Sequence, residues 1–284
     1  MTNSSRRISI IAIALFAVLA RGALAIKMSP ASLIATGISI GDSADLGVPL
    51  VIDISGEGVP RVEFALEPLS PGKVGKTPAG YEPIPDPAVL FVEGEGPLIA
   101  TESEPLVRPL KIAFPADSSL LNRHFIARLA IRPLSGGMFR TMAVGSYLIE
   151  TASTPPGVCR PGRHPISLSP SVIDYLGEGS ALLRIFNNDT VARTILVYPA
   201  VPGSSDSLGV RISRGFAAAD PGEFEIRPNG FAVERGGYKD IYISLNNKEY
   251  RESLKAKSEV ILWIRDPADS KSAEFARIRL HPDR

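Results

Sequence analysis

The sequence is poor in the residues on which several kinds of function depend. It has one cysteine, so no internal disulfide can form, and three histidines. His124, His164 and His281 are too widely spaced for a metal-binding motif, and we expect them at surface or loop positions. The 31 basic and 30 acidic residues leave a net charge of +1, which offers no excess of cations for a phosphate backbone. We therefore predict no metal, no cofactor and no nucleic-acid partner.

The single cysteine, Cys159, lies in a segment rich in proline and glycine. Two interpretations stay open: an incidental free thiol, or a thiol that joins two chains. Without internal disulfides the protein depends on its hydrophobic core for stability. Its 284 residues are enough for about two domains with cores of ordinary size.

The first 25 residues predict an export signal. Arg6 and Arg7 precede an apolar run at residues 8–19, and Ala23 and Ala25 form a small-residue cleavage pattern. The alternative is a membrane anchor, but the run is shorter than the ~20 residues that span a bilayer. We expect a mature chain without a membrane span. We expect this mature chain in the periplasm, outside the cell or at the cell surface, and the general and twin-arginine export routes both stay open.

Helix-breaking residues are abundant, since glycine and proline each number 25. Apolar residues recur at every second position, as at Leu50, Ile52 and Ile54. Each half of the chain shows about seven such short strands separated by turn signals, the pattern of an immunoglobulin-like β-sandwich. We predict an all-β fold of two tandem immunoglobulin-like β-sandwiches after the signal peptide. One helical turn is predicted, at residues 248–257.

Residues 91–132 and 224–265 share a layout at a constant offset of 133 residues, the difference between positions 91 and 224. The matched pairs include Phe91 with Phe224, Ile112 with Leu245 and Leu129 with Leu262. A repeat of this length is the size of a domain. The chain therefore divides into a signal peptide at 1–25, a first sandwich at 26–152, a proline- and glycine-rich linker at 153–165 and a second sandwich at 166–284.

Prolines interrupt the chain repeatedly at residues 68–88. Because proline removes a backbone donor, we predict a long exposed connection there and not a central strand. Long loops are often functional, so Tyr81, Pro83 and Pro85 are candidate partner contacts. The alternative is a simple crossover between the two sheets of a sandwich.

The last strand predicted for the first sandwich, residues 138–150, is apolar on both faces. Met142, Val144 and Leu148 share one of these faces. A half-exposed sheet needs only one apolar face, so this edge is a candidate for pairing with a strand of another protein. The alternative is that the outer face packs against the second sandwich or the linker.

Three features of the sequence form a familiar combination: Phe91 with the Gly-Pro turn after it, the apolar strand at 106–114, and residues 183–188. In these features the chain resembles the periplasmic pilus chaperones and other bacterial exported proteins with tandem immunoglobulin-like domains. In that family the last strand of the first domain binds a subunit that lacks a strand, and a basic pair holds the subunit's carboxylate. Lys27 and Arg140 lie in suitable elements, but no motif fixes either one, which counts against a true pilus chaperone. Arg140 stays a candidate partner contact.

The run Gly41-Asp42-Ser43 is similar to the opening block of the GDS-type lipases and esterases, in which the serine is a nucleophile. Such a serine needs a base within reach, which that family supplies as a histidine three residues after an aspartate. His281 is the one candidate here, and Ile278 stands at the aspartate position. The expected alternation of strands and helices is missing, and a turn between strands accounts for the run.

From these patterns we predict an exported, non-enzymatic protein that binds or assembles another exported or surface protein. One alternative is a pilus-type assembly chaperone that works by strand addition. The other, from a different class, is a GDS-type secreted hydrolase.

Overall fold

The computed structural model describes residues 25–55, 61–134, 142–155, 164–176, 179–204, 210–247 and 249–282. Cys159, Arg140 and the predicted export signal up to residue 24 lie outside these ranges. The described chain is built of strands with one short α-helix, so the predicted all-β class is confirmed. No helix in the described ranges is both long enough and apolar enough to cross a bilayer.

The described strands of the first half are β1 to β12. They are β1 Ala25–Ser29, β2 Ser32–Ile38, β3 Ser43–Asp45, β4 Leu50–Ser55, β5 Arg61–Pro68, β6 Glu82–Pro83, β7 Leu90–Val92, β8 Leu98–Thr101, β9 Leu106–Arg108, β10 Leu110–Ala113, β11 His124–Pro133 and β12 Ala143–Thr151. Short 3₁₀ helices lie between them at Pro71–Lys73, Pro87–Val89 and Ser118–Leu120.

The described strands of the second half are β13 to β22. They are β13 Ile166–Ser169, β14 Val172–Tyr175, β15 Ala181–Asn187, β16 Arg193–Ala200, β17 Ala217–Ala218, β18 Phe224–Arg227, β19 Gly230–Val233, β20 Tyr238–Leu245, β21 Ser258–Asp266 and β22 Asp269–Leu280. A 3₁₀ helix lies at Pro221–Glu223, and the α-helix α1, Glu249–Ser253, falls inside the predicted helical turn.

Each half has one large sheet with the same layout. The order is β2-β12-β11-β5-β8 in the first half and β14-β22-β21-β16-β19 in the second. In both, the first pair of strands is parallel, and a short extra strand (β6 or β17) runs parallel to the central one. The facing strands form the sheets β1-β4-β9 and β3-β10-β7 in the first half and β13-β15-β20-β18 in the second.

Alternation along the strands fills one hydrophobic core in each half. Leu50, Ile52 and Ile54 of β4 are buried, as predicted, and the residues between them are partly exposed. One cluster of buried apolar residues belongs to the first half and another to the second. Because burial of a Leu or Ile side chain contributes about 1.5–3 kcal/mol, these cores supply the stability that disulfides would otherwise add.

The predicted match of Phe91 with Phe224 is wrong by one residue. Ile112 lies opposite Leu90, whereas Leu245, the match of Ile112, lies opposite Phe224. Leu90 therefore corresponds to Phe224, and both are buried, while Phe91 is 36% exposed. A shift by one residue turns a side chain to the other face of a sheet, which an alignment without a gap cannot follow.

A third hydrophobic cluster joins the two halves. Its buried members are Val74, Tyr81, Ile126, Ala200, Val210, Ile261, Trp263, Ala273 and Phe275. Val74 and Tyr81 come from the proline-rich segment, so the prediction of a wholly exposed connection at residues 68–88 is wrong. Proline excludes strand pairing, but it does not stop the apolar side chains beside it from filling a space between two packed units.

Candidate functional site

Strand β12 is the predicted partner-binding strand, and the structure covers part of it. β11 pairs with it from Ala143 to Glu150, and β2 pairs with its other side from Ser146 to Thr151. The prediction that β12 is an edge strand is therefore wrong from Ser146 onward. From Ala143 to Gly145 only β11 pairs with β12 among the described residues, so the open edge lies at the start of β12.

The backbone of the open edge has a defined direction. Ser146 donates its N–H to the Ala31 carbonyl oxygen at 2.9 Å, on the side of β2. Backbone groups alternate in direction along a strand, so the N–H of Val144 points to the same side, away from β11. That side of Val144 holds no paired strand among the described residues. Val144 thus presents a backbone donor to an incoming strand.

The predicted contact residues of β12 divide between the open edge and the interior. Met142 is 52% exposed and Val144 is 37% exposed. Leu148 instead packs against the third hydrophobic cluster, as the alternative interpretation of this face expects. Arg140 lies outside the described residues. On this strand the structure leaves Met142 and Val144 open to a partner.

The candidates of the proline-rich segment lie in different environments. Tyr81 is buried, and its hydroxyl donates to Oε1 of Glu150 at 2.7 Å. The prediction of Tyr81 as an exposed contact is therefore wrong. Pro83 is partly buried in β6, beside β11, and Pro85 is exposed. Both prolines line a pocket of about 320 Å³ with Phe125 at its wall.

A buried ion network joins β12 to the second half. Arg277 of β22 has a side chain with 0% exposure. Its Nε and Nη2 atoms donate to the two carboxylate oxygens of Glu150, each at 2.6 Å. Its Nη1 atom donates to Oε1 of Glu259, also at 2.6 Å. Such a fork of parallel bonds is the strong geometry for a guanidinium and a carboxylate.

The charges of this network balance. Arg279 donates from Nε to Oε2 of Glu259 at 3.2 Å, so two guanidinium groups face two carboxylates. Burial works to raise the pKa of Glu150, but the Arg277 guanidinium outweighs it and holds that pKa below its ordinary value of 4.5. Burial raises the pKa of Tyr81 well above its ordinary value, and the negative charge of Glu150 is the second cause of this shift. Tyr81 therefore acts as a neutral donor.

The depressed pKa of Glu150 makes the stability of the protein sensitive to acid. A carboxyl group with a lowered pKa in the folded state contributes stability above its ordinary pKa, and this contribution is lost as the pH falls. We expect the free energy of unfolding, measured in urea, to drop as the pH is lowered below 4.5. Glu150→Gln removes this titration and leaves a shallower drop from the other carboxylates with lowered pKa, Asp189 and Asp240. Equal slopes for the two proteins would contradict the assignment.

Asn122 forms a second buried junction. Its Oδ1 accepts from the backbone N–H groups of Thr154 and Ser171, each at 3.0 Å. Its Nδ2 donates to Oγ1 of Thr154 at 2.7 Å. Asn122 has a φ of 55°, in the left-handed region that asparagine tolerates better than most residues. One side chain thus ties the first half to the predicted linker and to the second half.

The expected surface position of the histidines is wrong for His124. Its ring is buried and stacks on Phe275 at 3.9 Å between centroids, and its Nδ1 lies 3.3 Å from Oε2 of Glu274. His164 approaches Oε1 of the same carboxylate at 3.2 Å. In the described part of the chain, no group of three or more His, Cys, Asp or Glu residues has a geometry that could hold a metal ion.

The hydrolase alternative requires a base beside Ser43, and no described hydrogen bond provides one. Ser43 is exposed in β3 and pairs with Ala113. His281 lies in the second half, with Nε2 at 3.0 Å from Oδ1 of Asp174. Among the described residues no hydrogen bond joins Ser43 to a histidine, so the structure does not activate this hydroxyl.

The ion network and Asn122 are not evident from the sequence. Arg277 and Arg279 alternate with apolar residues in β22, which is the pattern of a half-exposed strand and not of a buried charge. The partner of Arg277, Glu150, lies 127 residues away. Sequence spacing within one strand therefore cannot identify it.

No family model matches the chain, and no curated protein matches it. Three solved structures that are similar to it share 10–11% identity with it. A protein of unknown function from Porphyromonas gingivalis W83 has a TM-score of 0.34 over 90% of this chain and 99% of its own. The periplasmic chaperone SfaE has 0.32 over 90% and 98%, and the E. coli chaperone DraB has 0.30 over 41% and 54%. With TM-scores below 0.5, none of these likenesses supports a conclusion about this chain.

Proposed function

We propose that this chain is an exported, non-enzymatic protein that binds another exported or surface protein by accepting a strand at the start of β12. The observation that carries the proposal is the open edge at Ala143–Gly145, where Val144 offers a backbone donor beside its exposed side chain. Main-chain hydrogen bonds give affinity in such pairing, and pockets for alternate side chains give specificity. Exposed Met142 suits an apolar partner because its flexible thioether adapts to irregular surfaces.

The division into two sandwiches belongs to the same proposal. The shared layout of the large sheets, and the separate cores, support two copies of one domain at residues 26–152 and 166–284, joined by 153–165. Export to the periplasm or the cell surface rests on the sequence of residues 1–25. An assembly chaperone that releases its client is the second candidate, favoured by the cover of β12 from Ser146 onward, since a partner strand cannot form main-chain bonds along that part of β12.

Capture of a partner from the cell envelope tests the proposal. We expect cross-linking with the wild-type protein to recover one exported protein. The double variant Met142→Asp, Val144→Asp is expected to recover none of this protein, because each aspartate places a charge in the apolar contact. The matched control is Leu176→Asp, Val191→Asp, which changes two exposed apolar residues of the second half.

Recovery with wild type and control but not with the β12 variant supports the open edge. Equal recovery from all three proteins would show that β12 does not bind the partner, and Pro83 and Pro85 would then be the candidate contacts. No recovery by the wild type favours a purely structural component of the envelope.

A further inference from the structure

We infer that the two halves form one cooperative unit, held in a single orientation by a joint made of the third hydrophobic cluster, the Arg277 network and Asn122. The inference does not depend on a partner. It concerns how the second half is held against β12.

The apolar part of the joint is built largely of aromatic rings. Trp263 and Phe275 of the second half are fully buried, and their rings lie 5.7 Å apart between centroids. Tyr81 of the first half lies 5.4 Å from Phe275 in the same cluster. Apolar burial is not directional, so this cluster alone would tolerate several orientations of the halves.

The polar part of the joint selects one of these orientations. Arg277 can donate to Glu150 and Glu259 together only when β12 and β21 stand in their observed places. Any other contact that kept these groups buried would leave a charge without its partner, which is strongly unfavourable. Asn122 forms three hydrogen bonds to Thr154 and Ser171, and these also require one orientation of the two halves.

The second half also contacts β2, the strand that covers β12. Arg211 donates from Nη1 to Oγ of Ser32, at the start of β2, at 3.2 Å. Arg279, which belongs to the ion network, approaches Oγ1 of Thr36, further along β2, at 3.5 Å. The second half therefore touches both β12 and the strand that covers it.

Trp263 is the single tryptophan of the chain, so its fluorescence reports on the joint and on β21, the strand that carries it. Unfolding by urea is followed by this fluorescence and by far-UV circular dichroism, which reports on the strands of both halves. The joint variant is Glu150→Gln. Its control is Arg193→Met, which breaks partly buried contacts to Asp189 and Asp266 inside the second half.

For the wild type we expect the two signals to change together in one transition. Arg193→Met keeps them coincident and moves both to lower urea. Glu150→Gln separates them, with the fluorescence change at lower urea than the loss of strands. Asn122→Ala does the same and serves where Glu150→Gln does not fold. Separate transitions in the wild type, or coincident ones in both joint variants, would overturn the inference.

Discussion

Arg277→Met is expected to lower the free energy of unfolding by about 3–5 kcal/mol, a large part of the roughly 5–15 kcal/mol that holds a domain together. Methionine keeps much of the volume of the side chain but leaves Glu150 and Glu259 buried without their common partner. Tyr81 then donates to a carboxylate that has lost its counter-charge. The measurement is equilibrium unfolding in urea.

Arg227→Met provides the matched control for this loss. Arg227 pairs with Glu225 within the second half, and its side chain is 77% exposed. An exposed pair contributes between about 0 and 1 kcal/mol, because water solvates both charges when the pair is broken. Similar small losses for both variants would contradict the account, since Arg277 would then not be holding buried charges.

Gly80→Ala is expected to lower the free energy of unfolding by about 2–5 kcal/mol, from a left-handed backbone and an overpacked contact together. Gly80 has a φ of 73°. A Cβ atom there would lie 2.6 Å from Cδ1 of Phe275 and 3.3 Å from Cη2 of Trp263. The rings are packed in the third hydrophobic cluster, so they have little room to move. Urea unfolding followed by Trp263 fluorescence gives the loss directly.

Gly47→Ala separates the two causes of this loss. Gly47 has a φ of 74°, and no atom lies within 4 Å of the position of its Cβ. It carries the same backbone strain without the contact, so its expected loss is only about 1–2 kcal/mol. Equal losses for the two variants would show that Phe275 and Trp263 yield without cost, and that the proline-rich segment is not packed tightly against the second half.

The sequence predicts well what depends on a single strand. Leu50, Ile52 and Ile54 alternate with more polar neighbours, and period-two alternation determines which face of a strand is buried, so the all-β class follows from it. Alternation alone leaves open whether Met142 and Val144 face a partner or the second half. It fails at Phe91, because the register of a strand is set by pairing with its neighbour and not by its own sequence.

The joint depends on contacts between residues far apart in the chain, and no local pattern contains them. Tyr81 has the neighbours of a loop residue, and nothing in them indicates that Glu150 and Phe275 will surround it. The cover of β12 by β2 is equally non-local. For this reason the prediction from sequence overestimated the exposure of residues 68–88, and it included in the open edge the part of β12 that β2 covers.

Amide hydrogen exchange at Val144 tests the central claim most directly. The protein recovered by cross-linking is added to the purified chain, and exchange is compared with and without it. Strand addition forms a hydrogen bond to the N–H of Val144, so its exchange slows markedly, while that of Ser146, already bonded to Ala31, changes little. Unchanged exchange at Val144 in the presence of the bound partner would contradict the account, because the partner would then bind without adding a strand to β12.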